Sequence, residues 1–332
     1  MEKIFDTLVV ITPKDFMRLR SNYKRLIRWL PKGKIIFIGN KEVGELVMEL
    51  KGVLGPHIPE NNSGNTEGYI DRVGYINEND ILPFDDVHKV MEDKMQPLLK
   101  GNGLPRGITG WYYQQFLKME YSRICDNEYY MSWDGDTVPC KDVVMIREDG
   151  MPYLDLKHEY NELYFTTMAR LIPGLRKIID ASFISEHMLF KCDIMKRLID
   201  KIEANNEFGG VRFYEKIIGC IPIEDLQSNG FSEFETYGSF VCLTAPQTYR
   251  LREWHSFRLA GEFFDPDKIT DEDYKWLGRD FDAVSFEKGM TVREDHKNLF
   301  DNKEYQAKLS ARQMLEIAQE EFLDGYKEVW TE

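Results

Sequence analysis

The first forty residues hold two short apolar runs on either side of a helical pattern, and this arrangement constrains the fold more than any other feature. Residues 7–12 read TLVVIT and residues 34–39 read KIIFIG, and such runs are typical of strands buried on both faces. Because a strand, a helix and a strand of this size form a βαβ unit, we predict a parallel sheet. The apolar residues between the runs recur at helical spacing: Phe16, Leu19, Tyr23, Leu26, Ile27 and Leu30.

No Pro/Ser-rich linker or low-complexity tract divides the 332 residues. We therefore predict one α/β domain over residues 1–262, with a mostly helical extension over residues 263–332 that packs on it. A helical pattern at residues 310–330 belongs to this extension, and the turn-rich residues 55–68 are expected to form an exposed loop.

The charge balance limits the partners. The chain carries 43 Lys and Arg against 57 Asp and Glu, a net charge of -14, which argues against nucleic acid as the main partner. The first apolar run is too short for a secretory signal, and no run approaches the ~18 apolar residues of a membrane span. The five cysteines form no CxxC pair, so we expect reduced thiols in a cytoplasmic protein, free or at the inner face of the membrane.

Residues 129–139 read YYMSWDGDTVP, an apolar run that predicts a strand ending at Asp134 and Asp136. The carboxyl end of a strand is where α/β sheets bind their ligands. The oxygens of two carboxylates are suitable ligands for Mg²⁺ or Mn²⁺. A solvated turn that binds no metal is the alternative. Three other D-x-D triplets are expected in turns or on solvated helix faces: Asp265–Asp267, Asp271–Asp273 and Asp280–Asp282.

Several enzyme classes find no support. The chain has no G-x-x-x-x-G-K-[ST] loop, no G-x-G-x-x-G after a buried strand and no G-x-S-x-G elbow. A P-loop NTPase, a Rossmann dehydrogenase and an α/β-hydrolase are therefore unsupported.

Four segments stand out together: GWYYQQFLKM at 110–119, YYMSWDGDTVP at 129–139, FISEHMLF at 183–190 and GFSEFETYG at 230–238. In combination they resemble a bacterial, DUF6492-like family of glycosyltransferase-like proteins, over roughly residues 7–261. The resemblance implies the GT-A fold, a Rossmann-like mixed sheet flanked by helices, with a D-x-D motif that binds metal.

For the metal, the resemblance implies that Asp136 binds Mn²⁺ or Mg²⁺ directly and that Asp134 holds the metal or the donor ribose. His255 is the candidate for a further ligand from a late strand, with a packing or surface histidine as the alternative. For the donor, Gln115 and Lys118, beside Gln114, are expected to reach the nucleotide or its phosphates, and an exposed, solvated helix face is the alternative. Fold analogy places Thr12 and Pro13 at the base.

For catalysis, an inverting transfer needs a carboxylate that deprotonates the acceptor hydroxyl. Glu233 is the first candidate and Glu235 the second, although Ser232 and Glu235 also fit a capping box at a helix start. The resemblance places Glu186 and His187 on the acceptor side, and a hydrogen-bonded core histidine is the alternative for His187.

The sequence thus predicts a metal-dependent glycosyltransferase that moves a sugar from a nucleoside-diphosphate donor to a hydroxyl of a glycan or glycolipid precursor. A metal-dependent phosphoryl or nucleotidyl transferase shares the acids, and Arg106 and Lys118 are the cations it would use. A non-catalytic protein that binds a nucleotide or glycan is the third hypothesis.

Overall fold

The computed structural model describes residues 3–54, 69–293, 300 and 302–318. The expected loop at residues 55–68 and most of the expected helix at 310–330 lie outside the described residues. The strands are β1 Asp6–Val10, β2 Ile35–Gly39, β3 Val73–Asn77, β4 Tyr129–Trp133, β5 Thr137–Pro139, β6 Tyr153–Leu156, β7 His187–Lys191, β8 Arg250–Glu253, β9 Ser256–Phe257 and β10 Ala283–Ser285.

The helices alternate with the strands through the first half of the chain. They are α1 Pro13–Arg18, α2 Tyr23–Trp29, α3 Lys41–Leu54, α4 Tyr69–Arg72, α5 Glu78–Ile81, α6 Phe84–Leu99, α7 Arg106–Glu120, α8 Glu162–Leu171, α9 Cys192–Glu203, α10 Phe213–Cys220, α11 Glu233–Thr244, α12 Asp271–Leu277, α13 Lys303–Lys308 and α14 Ala311–Ala318. No helix in the described ranges is both long and apolar enough to cross a membrane.

A five-stranded sheet in the order β3-β2-β1-β4-β7 forms the centre. The first four strands are parallel, and β7 pairs antiparallel with β4. The predicted mixed α/β fold, with helices on both sides of the sheet, is confirmed. The chain leaves β1 toward β2 and β3, and later returns to the other side of β1 as β4, so the strand order reverses between β1 and β4. Crevices at such reversals are the usual ligand sites of open α/β sheets.

Both faces of the sheet are buried, as the apolar runs predict. In β1, Leu8 joins one hydrophobic cluster with α6, α7, α9 and α10, while its neighbour Val9 joins a second cluster on the other face. The second cluster includes α1 to α3 and much of the chain after residue 253. The alternation of strand side chains therefore divides one sheet between two cores.

The described part of residues 263–332 is not helical throughout. Its strand β10 pairs with β5, directly after the two aspartates, and with β9. Trp276 and Phe281 are buried in the second cluster. This segment therefore completes the fold next to the predicted metal motif.

Candidate functional site

A cavity of about 520 Å³ opens at the carboxyl ends of the central strands. Thr12 and Pro13, after β1, line it together with residues 134–136, after β4. The first turns of α7 form the opposite wall, where Arg106 and Gln114 reach the cavity. Its volume lies within the range of small-molecule sites, and it occupies the crevice where the strand order reverses.

A tight turn places both aspartates at the cavity. The Thr137 N–H donates to the Asp134 carbonyl at 3.1 Å, and the Asp134 N–H donates to the Glu186 carbonyl at 2.8 Å. A Cβ on Gly135 would lie 2.9 Å from Ile11 Cδ1. The absence of a side chain at Gly135 thus lets the turn approach the end of β1. The carboxylates of Asp134 and Asp136 flank this glycine in the sequence.

Asp136 sits in a negative environment. Burial, together with the charges of Asp134 and Glu287, raises the pKa of Asp136 to about 7. The guanidinium groups of Arg18 and Arg258 act in the opposite direction with smaller effect. A bound cation would relieve this repulsion, because an opposite charge favours the ionised carboxylate.

The residues present fit a divalent cation. Asp134 and Asp136 both line the cavity, and Mg²⁺ is commonly held by one or two carboxylates together with water and substrate phosphate. Within the described ranges, no three His, Cys, Asp or Glu side chains form a metal-binding group. A cation here would therefore be held by the two aspartates, with its other positions open.

His255 does not line the cavity. It lies between β8 and β9, where its backbone N–H donates to Asp282 Oδ2 at 3.1 Å and its carbonyl accepts from the Asp282 N–H at 2.6 Å. The structure thus brings two of the three predicted metal ligands together at the cavity.

Lys118 is buried behind Asp134 and does not line the cavity. Its Nζ donates to Asp134 Oδ1 and to Glu233 Oε1, both at 2.9 Å, and it lies 4.6 Å from the centre of the Phe234 ring. Burial acts to lower the pKa of Lys118, but the two carboxylates outweigh burial and raise it. Lys118 is therefore an ammonium shared by two acids.

The two predicted catalytic glutamates are buried at the start of α11. The Glu233 N–H donates to Gln115 Oε1 at 3.0 Å, so Gln115 also serves this helix instead of lining the cavity. Ser232 caps the helix by accepting from the Glu235 N–H at 3.2 Å, but the Glu235 carboxylate accepts from the Phe183 N–H at 3.0 Å. One half of the capping box forms.

Burial raises the pKa of Glu233 even beside Lys118, and burial likewise raises that of Glu235. The Glu233 carboxylate lies 2.9 Å from the Lys118 ammonium, a distance that indicates an ion pair. Neither glutamate lines the cavity. Lys118 lies between Glu233, the predicted base, and Asp134, a predicted metal ligand.

Glu186 and His187 lie in two buried ionic clusters. Glu186 accepts from Lys157 Nζ at 3.2 Å and from Ser256 Oγ at 2.7 Å. Its φ is +61°, a left-handed conformation that costs a non-glycine residue of order 1–3 kcal/mol. The Glu186 carbonyl that binds the Asp134 N–H thus comes from a strained residue fixed by its own side chain.

His187 is the first residue of β7. Its Nε2 lies 2.8 Å from Asp155 Oδ2 and its Nδ1 lies 2.7 Å from the Ser185 carbonyl. Burial alone would raise the pKa of Asp155, but hydrogen bonds from His187 and Arg252 outweigh burial and lower it. These contacts are those of a hydrogen-bonded core histidine.

The structure adds cations that the sequence reasoning missed. Arg18 and Lys288 line the cavity with the two aspartates. Arg18 donates from Nη1 to the Phe286 carbonyl, and the Phe286 N–H donates to the Asp136 carbonyl at 2.8 Å. Arg18 could have been found, because it ends the helix that starts at Pro13. Lys288 is about 150 residues from the motif and carries no local signal.

The sequence model of a family of unknown function, DUF6492, matches residues 64–304. No curated protein sequence matches the chain. Mouse xyloside xylosyltransferase 1 in its apo form is a similar solved structure, with 11% identity over 88% of this chain and 100% of that chain, at a TM-score of 0.41.

Two further solved structures are also glycosyltransferases. The galactosyltransferase LgtC, in complex with donor and acceptor sugar analogues, is 12% identical over 92% of this chain and 100% of that chain, at a TM-score of 0.40. The bifunctional glycosyltransferase WbbM, in its apo form, is 11% identical over 98% of this chain and 52% of that chain, also at 0.40.

Proposed function

This chain belongs to the DUF6492 family, whose function is unknown, and we propose that it is a metal-dependent glycosyltransferase. Its donor is a nucleoside-diphosphate sugar, and its acceptor is a hydroxyl of a glycan or glycolipid precursor. The observation that carries the proposal is one cavity, at the reversal of strand order, where Asp134 and Asp136 lie together with two cations, Arg18 and Lys288.

This mixture of charges suits a diphosphate. When the bond between the anomeric carbon and the diphosphate oxygen breaks, negative charge develops on the leaving group. A divalent cation, when bound at Asp134 and Asp136, neutralises that charge as a Lewis acid. Arg18 and Lys288, at the same cavity, add positive charge from side chains.

The buried acids behind the cavity have positioning roles in this proposal. Lys118 fixes Asp134 from behind, and the Glu186 carbonyl fixes its backbone. Glu233 and Glu235, the predicted bases, are 3% and 1% exposed and do not line the cavity, so neither carboxylate reaches an acceptor there, and we assign Glu233 the role of holding the Lys118 ammonium. Replacing Glu233 with Gln should then reduce transfer only in part and leave nucleotide affinity within about twofold, whereas loss of a catalytic base would abolish transfer.

The first test is titration calorimetry with UDP, GDP, ADP and CDP, in Mn²⁺ or in EDTA, on the wild type and Asp136→Asn. We expect one nucleotide to bind only with metal and to bind at least tenfold more weakly to Asp136→Asn. Saturation at ~100 times the dissociation constant should also raise the free energy of unfolding by about 2.7 kcal/mol. Asp142→Asn, an exposed residue outside the cavity, is the matched control.

Binding of no nucleotide under any condition would overturn the proposal. Metal-dependent preference for triphosphates over diphosphates would favour the nucleotidyl transferase. Diphosphate binding without release of nucleotide from any sugar donor, over a panel of acceptors, would favour the non-catalytic binding protein.

A further inference from the structure

The end of the cavity farthest from the aspartates is built by the next two strands. Asn40 follows β2 and Glu78 follows β3, and both line the cavity. Gly39 pairs with Asn77 as the last matched position of these parallel strands, so Asn40 and Glu78 are neighbours at the sheet edge. One carboxylate and one amide therefore line this end of the cavity.

The distance between the two ends suits an extended nucleotide. Strand β3 lies three positions from β4 in the sheet, and a strand spacing near 4.8 Å puts about 14 Å between their ends. This separation is comparable to the span from the outer phosphate of a nucleoside diphosphate to its base. If the diphosphate binds at Asp134 and Asp136, as the proposed function requires, the base falls beside Asn40 and Glu78.

Glu78 and Asn40 differ in the hydrogen bonds that they can make with a ligand. Within the described ranges, the Glu78 carboxylate makes no hydrogen bond or ion pair, and an ionised carboxylate only accepts. Asn40 Oδ1 accepts from the Val43 N–H at 3.2 Å, so its NH₂ group is what remains to donate. This end of the cavity therefore offers the two oxygens of the Glu78 carboxylate as acceptors and the NH₂ group of Asn40 as a donor.

A flat cation lies at the same end. The Arg106 guanidinium stacks 3.9 Å from the centre of the Phe84 ring, and both residues line the cavity. With one face against Phe84, the guanidinium plane has its other face to stack on a base. Stacking of this kind binds any base, so selectivity depends on the hydrogen-bonding edge.

We propose that Glu78 makes the donor site selective for a guanine nucleotide. Guanine has two adjacent donors, N1–H and the 2-amino group, which match both oxygens of a carboxylate, and its O6 accepts from an amide such as that of Asn40. Uracil has one N–H between two carbonyl oxygens, so it satisfies one carboxylate oxygen and leaves the other facing a carbonyl oxygen. Adenine and cytosine place a single amino donor beside an acceptor nitrogen. The inference rests on the proposed function and names its donor class, a GDP-sugar.

The test uses two ligands that differ in one donor. Inosine diphosphate is GDP without the 2-amino group, so a carboxylate that reads this group should bind it roughly tenfold more weakly than GDP. We expect this difference for the wild type, together with GDP binding at least tenfold tighter than UDP, by calorimetry in Mn²⁺. In Glu78→Gln the difference between GDP and inosine diphosphate should fall below about threefold. Asp80→Asn, an exposed residue on the same helix that does not line the cavity, should keep the wild-type ratios.

Other outcomes separate the two proposals. Metal-dependent binding that prefers UDP would overturn the guanine assignment and leave the glycosyltransferase proposal standing. The same would follow if the ratio of the affinities for GDP and inosine diphosphate were unchanged in both Glu78→Gln and Glu78→Ala. Binding of no nucleotide would overturn both. Circular dichroism of each variant separates a loss of selectivity from a loss of folding.

Discussion

At the scale of single residues, Lys118 changes the interpretation of the site most. On a helical pattern it looks like a donor contact, because it lies on the same predicted face as Gln114. In the fold its side chain is only 3% exposed and lies between Asp134 and Glu233. Gln114 faces the cavity instead. The residue that looked like a ligand contact is a counterion.

Replacing Lys118 with Met, which has a similar shape and no charge, should destabilise the protein by about 3–5 kcal/mol, because two carboxylates are left near each other without a cation. Urea denaturation of the wild type and the variant measures this. The double variant Lys118→Met with Glu233→Gln should recover part of the loss, because one buried charge is removed. A loss below 1 kcal/mol for the single variant would show that the ion pairs are not needed.

At the scale of elements, the four sequence segments that stand out all bind one another. Tyr112 and Gln115 of α7 accept from the Gly230 and Glu233 N–H groups at the start of α11. The side chain of Glu235, two residues further, accepts from the N–H of Phe183 before β7. The segments thus form a brace of hydrogen bonds around the turn at Asp134.

The closest approach in this brace is at Gly238 of α11. A Cβ there would lie 2.3 Å from the Phe183 ring, so Gly238→Ala overpacks the core and should cost about 1–3 kcal/mol. Gly52→Ala in α3, where a Cβ meets nothing within 4 Å, should instead stabilise by about 0.5–1 kcal/mol. Thermal and urea unfolding of both variants gives the comparison. A neutral Gly238→Ala would mean that the helix and Phe183 can move apart without cost.

At the scale of the whole molecule, the described residues beyond 262 complete the domain that carries the site. Strand β10 pairs with β5, the Phe286 N–H binds the Asp136 carbonyl, and Lys288 lines the cavity. The predicted boundary at residue 262 therefore falls inside one continuous core.

A chain that ends at residue 262 should show no cooperative unfolding transition, because it lacks β10 and the aromatic residues that cover the second cluster. Calorimetry and near-ultraviolet circular dichroism test this. The milder variant Trp276→Ala, at a buried core position, should cost about 3–5 kcal/mol, and exposed Lys275→Ala on the same helix should cost less than 0.5 kcal/mol. A cooperative transition in residues 1–262, with Trp276→Ala neutral, would make 1–262 an independent domain.

Local sequence patterns were enough to predict the βαβ unit of β1 and β2, the burial of these strands on both faces and the strand end that carries Asp134 and Asp136. Those features follow from local patterns, because strand and helix periods and a polar stop after an apolar run are written in consecutive residues. Fold analogy places Thr12 and Pro13 at the base of the nucleotide; both line the cavity, and their contact with a base stays a prediction.

Which polar residues face the cavity, and which are buried behind it, depends on how the helices pack in three dimensions. Gln115, Lys118, Glu233 and Glu235 have the same residue types as cavity residues, but helix packing turns them toward one another. Lys288 and Glu78 reach the cavity through strand order and through the return of the chain as β10. Contacts of this kind depend on the relative placement of distant segments, which no local period encodes.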